Sequence, residues 1–115
     1  MLTVVVALKL WGKYFTNLKV VINCDNMVTV RVLNTGASRN KFLQSCLREI
    51  CWISAINNFE IKSRHILGCE NRLPDLLSRW DLHTKFQLEF RKRTNNMTLF
   101  RDFIEPKLFD FSHRW

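Results

Sequence analysis

The chain has 115 residues, a length that suits one compact domain. Hydrophobic residues make up 47% of it and charged residues 24%, which argues against disorder throughout. Its 18 Lys and Arg against 10 Asp and Glu give a net charge of +8. This charge favours a polyanionic partner such as nucleic acid, and a basic domain without a special partner is the alternative.

Cysteine usage and the apolar start of the chain bear on its compartment. The chain contains four cysteines: Cys24, Cys46, Cys51 and Cys69. They form no CxxC pair and no dense disulfide framework, so we predict reduced thiols in an intracellular protein, either cytoplasmic or nuclear. The apolar residues 1–11 are interrupted by Lys9 and are too short to span a bilayer. We therefore predict a helix packed on a core and no membrane partner.

The first half of the chain predicts a helix, a strand and two more helices. Residues 2–16 are good helix formers with apolar residues at helical spacings. Residues 18–24, LKVVINC, predict a strand that is buried on both faces of a parallel sheet, because three β-branched residues are consecutive. A short helix over residues 26–34 is ended by Gly36. Ser38 is the predicted N-cap of a long helix that reaches about residue 57.

The second half predicts one more strand and one more helix. Residues 59–66 alternate between apolar and charged positions, which indicates a strand with one wetter side. Asn71 is the predicted cap of a helix over residues 72–80, with Pro74 in its first turn, where the missing N–H costs nothing. The alternation of helices and strands indicates an α/β architecture. After Trp80 the sequence shows no clear period.

Two carboxylates and one imidazole are candidates for chemistry. Asp25 follows the first predicted strand, Asp75 lies in the first turn of the last predicted helix, and His65 ends the second strand. Functional groups of open α/β sheets gather beyond the carboxyl ends of the strands. Two Asp can share a divalent cation, and two ions about 4 Å apart can clamp the oxygens of a phosphodiester. A helix cap at Asp25-Asn26, a helix-dipole role for Asp75 and a structural role for His65 remain the alternatives.

Several segments resemble the ribonuclease H domain of retroelement reverse transcriptases. The sequence from His65 to Arg79, HILGCENRLPDLLSR, resembles the closing motif H-x-x-G-x-x-N-x-x-A-D-x-L-S-R, with Pro74 in place of the usual Ala. Cys24-Asp25-Asn26 resembles the T-D-N motif, residues 7–11 resemble the family's first helix, and residues 36–39 resemble a G-x-S/R segment of DIRS-like and Gypsy-like elements. The resemblance predicts a partial ribonuclease H-like domain over residues 1–82. Residues 83–115 are then a tail or a linker toward a following domain.

The resemblance implies a two-metal nuclease whose catalytic set is incomplete in this chain. Four acidic residues of the family coordinate two Mg²⁺ (or Mn²⁺) ions and cleave the RNA strand of an RNA–DNA hybrid. Asp25 matches the third carboxylate, Asp75 the fourth, and His65 the histidine that assists proton transfer or product release. By the same alignment, the family's three N-terminal strands and its catalytic Glu would precede Met1. We therefore expect an incomplete ribonuclease H-like fold of two parallel strands with flanking helices, weak metal binding and little or no hydrolysis.

The resemblance also implies a nucleic-acid surface. The predicted contacts to RNA–DNA hybrid or other nucleic acid are Asn26, Arg31, Arg39, Lys41, Arg48 and Asn71. A solvated basic face is the alternative. A bare edge on the first strand predicts marginal stability, with self-association or pairing to the missing N-terminal portion of the polyprotein. Two other functions remain open: a non-catalytic nucleic-acid-binding module, and an unrelated α/β domain that binds a protein through its aromatic tail.

Overall fold

The structure, a computed structural model, describes residues 1–99 and 101–114. Its elements are α1 (Leu2–Trp11), β1 (Lys19–Cys24), α2 (Met27–Thr35), α3 (Lys41–Asn57), β2 (Glu60–His65), α4 (Arg72–Ser78) and α5 (Thr84–Thr94), with 3₁₀ turns at Gly12–Phe15 and Pro106–Phe109. The predicted α/β class and the predicted order of the first six elements are confirmed. Helix α5 was not predicted.

The chain divides into two compact units. The first contains residues 1–65 together with the C-terminal residues from 103 onward, and the second contains residues 66–102. Strands β1 and β2 and helices α1 to α3 belong to the first unit, whereas α4 and α5 form the second. The functional boundary between residues 82 and 83 stays a prediction.

Strands β1 and β2 pair in parallel, with Val20 opposite Ile61 and Cys24 opposite His65. Parallel strands need a long crossover connection, which α2 and α3 provide. Alternate residues of β1 are exposed, and Val21 is 56% exposed. The prediction that β1 is buried on both faces is therefore wrong. Val20 and Ile22 pack against the core of the first unit, whereas the side of β1 that carries Val21 is exposed. Consecutive β-branched residues favour a strand but do not decide how many of its faces are covered.

Strand β2 follows its predicted alternation. Glu60, Lys62 and Arg64 are exposed, whereas Ile61 and Ser63 face inward. The amide side chain of Asn34 in α2 bonds twice to the outer edge of β2, since it donates to the Ser63 carbonyl at 2.8 Å and accepts from the Ser63 N–H at 2.8 Å. This contact holds α2 to the sheet.

The core of the first unit lies between α1, α3 and the inner face of the sheet. Its buried residues are Val5, Leu8, Val32, Leu33, Cys46, Leu47, Ile50, Ile53 and Phe59. Gly12 allows α1 to end close to α3, because a Cβ atom there would lie 3.2 Å from the Ile53 Cγ2 atom. Burying one aliphatic or aromatic side chain, such as that of Leu47 or Phe59, stabilises the folded state by about 1.5–3 kcal/mol.

The ends of α2 and α3 follow local rules, and the predicted cap of α3 is corrected. Gly36 has a φ of 74° and ends α2 in the left-handed conformation that glycine adopts at little cost. Asn40, not Ser38, caps α3, because its Oδ1 atom accepts from the Leu43 N–H at 3.0 Å. The Ser38 hydroxyl instead accepts from the Asn40 N–H at 3.2 Å. Both residues are good caps, and the cap lies two residues later than predicted.

The second unit is a pair of helices joined by ion pairs and aromatic contacts. Leu76 of α4 is completely buried, and the Trp80 and Phe90 rings meet edge to face with centroids 5.7 Å apart. The Arg72 guanidinium binds the Glu89 carboxylate through two hydrogen bonds. The His83 side chain begins α5, since its Nδ1 atom accepts from the Lys85 N–H at 3.0 Å. Across residues 1–99 and 101–114, no helix combines the length and the apolar character that a bilayer crossing requires.

Candidate functional site

Asp25 and His65 lie at the same edge of the sheet. The register places Cys24 opposite His65, so β1 and β2 end level with each other. Asp25 follows Cys24 directly, and both Asp25 and His65 are exposed to solvent. The structure therefore places two of the three predicted catalytic residues at the carboxyl edge of a parallel sheet, where α/β proteins place their functional groups.

Asn26 caps helix α2. Its Oδ1 atom accepts a hydrogen bond from the Thr29 N–H at 3.1 Å, and its backbone is extended, as at most N-caps. The alternative of a helix cap at Asp25-Asn26 is thus confirmed for Asn26. Its contact with nucleic acid stays a prediction. The cap also fixes the first turn of α2 directly after Asp25.

Asp75 belongs to the second unit, where two arginines hold its carboxylate. The Arg72 Nη1 atom lies 3.4 Å from Asp75 Oδ2, and the Arg79 Nε atom lies 3.2 Å from Asp75 Oδ1. The Asp75 side chain is only 26% exposed. A metal ion that binds Asp75 in this arrangement has to compete with two guanidinium groups. Among the described residues, no group of three or more His, Cys, Asp or Glu side chains is arranged to hold a metal ion.

The predicted nucleic-acid contacts of the first unit follow each other along α2 and α3. Arg31 lies on α2, Arg39 precedes α3, Lys41 begins it, and Arg48 lies on its third turn; all four are exposed. Within the described parts of the chain, Arg31, Arg39 and Lys41 form no salt bridge. Their charge is therefore open to a polyanion. Asn71, the sixth predicted contact, is half-buried in the second unit at the start of α4, and its side chain makes no cap hydrogen bond.

Glu49 of α3 is buried completely and was not among the predicted site residues. Both of its carboxylate oxygens accept from the Ser112 N–H, at 3.0 Å and 2.9 Å, and one also accepts from the Ser112 hydroxyl. The Lys9 Nζ atom of α1 lies 3.6 Å from Glu49 Oε1. The sequence holds one signal for this burial: Glu49 lies three residues after Cys46 and four before Ile53, on the apolar side of α3.

Residues 103–114, which we call the C-terminal strap, pack on the first unit around Glu49. Phe111 packs against the core, and its ring centroid lies 6.2 Å from that of Phe42. The His113 ring meets Trp52 edge to face, with centroids 4.7 Å apart. Lys9 also donates a hydrogen bond to the Asp110 carbonyl. The strap therefore belongs to the first unit, whether or not a further domain follows it.

Hydrogen bonds and burial shift the pKa of groups in both units. The hydrogen bond from Arg72 lowers the pKa of Glu89 below its ordinary value, and a second one from Arg93 acts in the same direction. The same pair raises the pKa of Arg72. Burial raises the pKa of the Cys46 thiol, because a low-dielectric environment disfavours the thiolate. None of these groups is a predicted catalytic residue.

An open groove of about 340 Å³ lies between α3 and β2 in the first unit. Apolar side chains such as Leu47, Ile50 and Ile61 line it together with Cys51. Asp25 and His65 do not line this groove. A comparison of the chain with protein-family models, curated proteins and solved structures finds no match.

Proposed function

We propose that this chain is the C-terminal part of a ribonuclease H-like domain of a retroelement reverse transcriptase, of the DIRS-like or Gypsy-like kind, and that it binds RNA–DNA hybrids. The observation that carries the proposal is the level ending of β1 and β2, with Asp25 and His65 at one edge of the sheet. A carboxylate there can bind a metal ion, and an imidazole can transfer a proton at a phosphodiester. The resemblance of residues 24–26 and 65–79 to two family motifs supports the same function.

Among the described residues the sheet contains β1 and β2 alone, so the side of β1 away from β2 can accept the further strands that a ribonuclease H-like domain requires. The Glu60 N–H donates to the Leu18 carbonyl at 3.1 Å, so residues 18, 20, 22 and 24 direct their backbone groups toward β2. The backbone groups of Lys19, Val21 and Asn23 then point to the opposite side. A strand that carries further carboxylates can pair at this edge, and so can a second copy of the chain.

In this proposal Mg²⁺ or Mn²⁺ binds at Asp25. Asp75, which matches the family's fourth carboxylate, can bind a metal ion only after it gives up its arginine partners. Hard divalent cations prefer several oxygen ligands, so a single carboxylate binds such an ion weakly. When bound, the metal would activate a nucleophile and stabilise charge on the phosphodiester. The chain itself contributes a carboxylate, an imidazole and a basic surface. We therefore propose hybrid binding with little or no hydrolysis by the chain alone.

Mn²⁺ titration followed by nuclear magnetic resonance tests the metal site independently of hydrolysis. Under the proposal, paramagnetic broadening begins at the amides around Asp25, and the substitution Asp25→Asn removes it. The exposed Asp81 provides a matched control, because Asp81→Asn removes the same charge outside the proposed site. Equal broadening in Asp25→Asn and in the unaltered chain would show that Asp25 does not bind the ion.

Hybrid cleavage tests the incompleteness of the site. We expect the chain to bind an RNA–DNA hybrid specifically. We expect no Mg²⁺- or Mn²⁺-dependent hydrolysis of that hybrid. Cleavage that Asp25→Asn abolishes would show that the chain carries a sufficient site. A failure of hybrid to compete better than single strands would count against the hybrid as the ligand.

The ion pairs of Asp75 favour a second candidate, a nucleic-acid-binding module without catalysis. A carboxylate held by Arg72 and Arg79 serves the stability of α4 rather than a metal. The substitution Arg79→Gln separates the two candidates, because it frees one side of Asp75. If the first candidate is right, Arg79→Gln adds Mn²⁺ broadening at the amides around Asp75. If the second is right, the broadening at these amides does not change.

A further inference from the structure

Most arginines of the second unit are neutralised by carboxylates. Arg72 and Arg93 both bind Glu89, and Arg79 binds Asp75. The cations that remain on α5 are Lys85, Arg91 and Lys92. All three are exposed, and none forms a salt bridge within the described chain. We call the side of α5 that carries Lys85 and Lys92 the basic face of α5, and Arg91 lies about 100° around the helix from Lys92.

The helix dipole explains only part of this arrangement. Arg91 and Lys92 lie in the last turn of α5, where positive charge stabilises the partial negative charge of the helix end. Lys85 lies in the first turn, where the dipole disfavours a cation. Lys85 and Lys92 are seven residues apart, which places them on one side of the helix and about 10 Å apart along its axis. The pattern thus suits a linear array of negative charges.

Aromatic rings contact two of the three cations, Lys85 and Arg91. The Arg91 guanidinium lies over the Trp80 ring, 5.8 Å from its centroid. The Lys85 Nζ atom lies 5.2 Å from the centroid of the Phe86 ring. Trp80 and Phe86 are only partly exposed, and Arg79 also lies over the Phe86 ring, so these rings offer little surface for base stacking. The surface therefore suits phosphate groups rather than bases.

We propose that the basic face of α5 binds the phosphate backbone of nucleic acid without regard to sequence. This inference goes beyond the proposed function, because it requires neither Asp25 nor a metal ion. An anionic membrane fits the surface less well, since Leu88 is the one strongly exposed apolar residue of α5. Phe86 and Phe90 are half-buried, and an interfacial helix needs a broad exposed apolar side.

The salt dependence of binding tests the proposal. Fluorescence anisotropy with a labelled 20-nucleotide single strand measures the dissociation constant of the full chain between 50 and 200 mM salt. Each phosphate contact contributes about 0.7 to the slope of log K against log salt on single strands. The double substitution Lys85→Gln/Lys92→Gln is expected to reduce this slope by about 1.4. The unaltered chain then loses about sevenfold more affinity than the variant when the salt concentration rises from 50 to 200 mM.

Neighbouring residues provide a matched control. Lys92→Gln and Arg93→Gln remove the same charge from adjacent positions, but Arg93 is paired with Glu89. We expect a slope change of about 0.7 for Lys92→Gln and less than half of that for Arg93→Gln. Circular dichroism establishes that both variants keep their helices. Equal changes in the two variants would overturn the proposal in favour of a general effect of net charge.

Two further outcomes would also overturn it. One is an unchanged slope in Lys85→Gln/Lys92→Gln combined with loss of binding to phosphatidylserine vesicles, which would assign the surface to a membrane. The other is a strong preference among single strands of different sequence. The Mn²⁺ broadening at Asp25 does not depend on these residues, so failure of this proposal and failure of the proposed function are distinguishable.

Discussion

Glu49 offers the most direct test of how the first unit holds together. The substitution Glu49→Gln keeps the size of the side chain and removes its charge. Both carboxylate oxygens accept from the Ser112 N–H, so the amide nitrogen of a glutamine would oppose a donor with a donor. The ion pair with Lys9 would also be lost.

The structure sets the size of the expected effect. A hydrogen bond to a charged group contributes about 1.5–3 kcal/mol, against about 0.5–1.5 kcal/mol for a neutral one. Breaking a buried ion pair by removing one partner costs about 3–5 kcal/mol. The Lys9 side chain is 15% exposed and can turn toward water, which reduces this cost. We expect Glu49→Gln to lower the free energy of unfolding by about 2–4 kcal/mol, a large part of the total for a small domain.

Urea unfolding followed by circular dichroism measures this difference, and trypsin cleavage within the strap reports its release. Glu105→Gln is the matched control, because Glu105 forms an exposed pair with Lys107. Exposed pairs contribute about 0–1 kcal/mol, so this control should unfold almost like the unaltered chain. A change of less than about 0.5 kcal/mol in Glu49→Gln would refute the claim that a buried charge anchors the strap.

Three further predictions concern other contacts. Because the pKa of Glu89 is lowered in the folded chain, its charge stabilises the α4–α5 pair at pH values above the ordinary carboxyl range. This stabilisation is lost as the pH falls through the lowered pKa. A carbon-detected titration in which Glu89 protonates at its ordinary value of 4.5 would contradict this prediction. Cys51 and Cys69 are exposed and should react with a disulfide reagent in the folded chain. Cys46 is buried and has a raised pKa, so it should react only when the chain unfolds. Equal reaction rates for all three thiols would show that Cys46 is accessible. Gly12→Val should cost about 1–3 kcal/mol through crowding against Ile53, while Gly68→Val, with open space around it, should cost much less in the same urea assay.

Local sequence signals predicted the first six elements because their causes are local. Apolar spacing and turn residues such as Gly36 lie within the elements that they define or end. Helix α5 was missed because much of its support comes from elsewhere in the chain. The Arg72–Glu89 contact joins residues 17 positions apart, and α5 itself has a largely polar surface. Propensity and periodicity do not report such pairing.

The residues of the candidate site also differ in whether a local sequence pattern indicates their contacts. Sequence reasoning placed Asp25 and His65 at the ends of two strands, and the strand register shows that these ends are level. The arginine partners of Asp75 lie three residues before it and four after it, a spacing at which helical side chains meet. That signal was present in the sequence. The burial of Glu49 depends on Ser112, 63 residues later, and no local pattern connects them.

The position of the strap has a consequence for how the protein folds as it is synthesised. The first unit is interrupted after residue 65 and resumes at residue 103. Its core residues therefore emerge from the ribosome well before Ser112, and the Glu49 carboxylate lacks its Ser112 donors until the 37 residues of the second unit have followed. At about 5–20 residues per second, this delay lasts a few seconds. During that interval the Glu49 carboxylate has no Ser112 donor, and the strap supplies this donor once its residues have been synthesised.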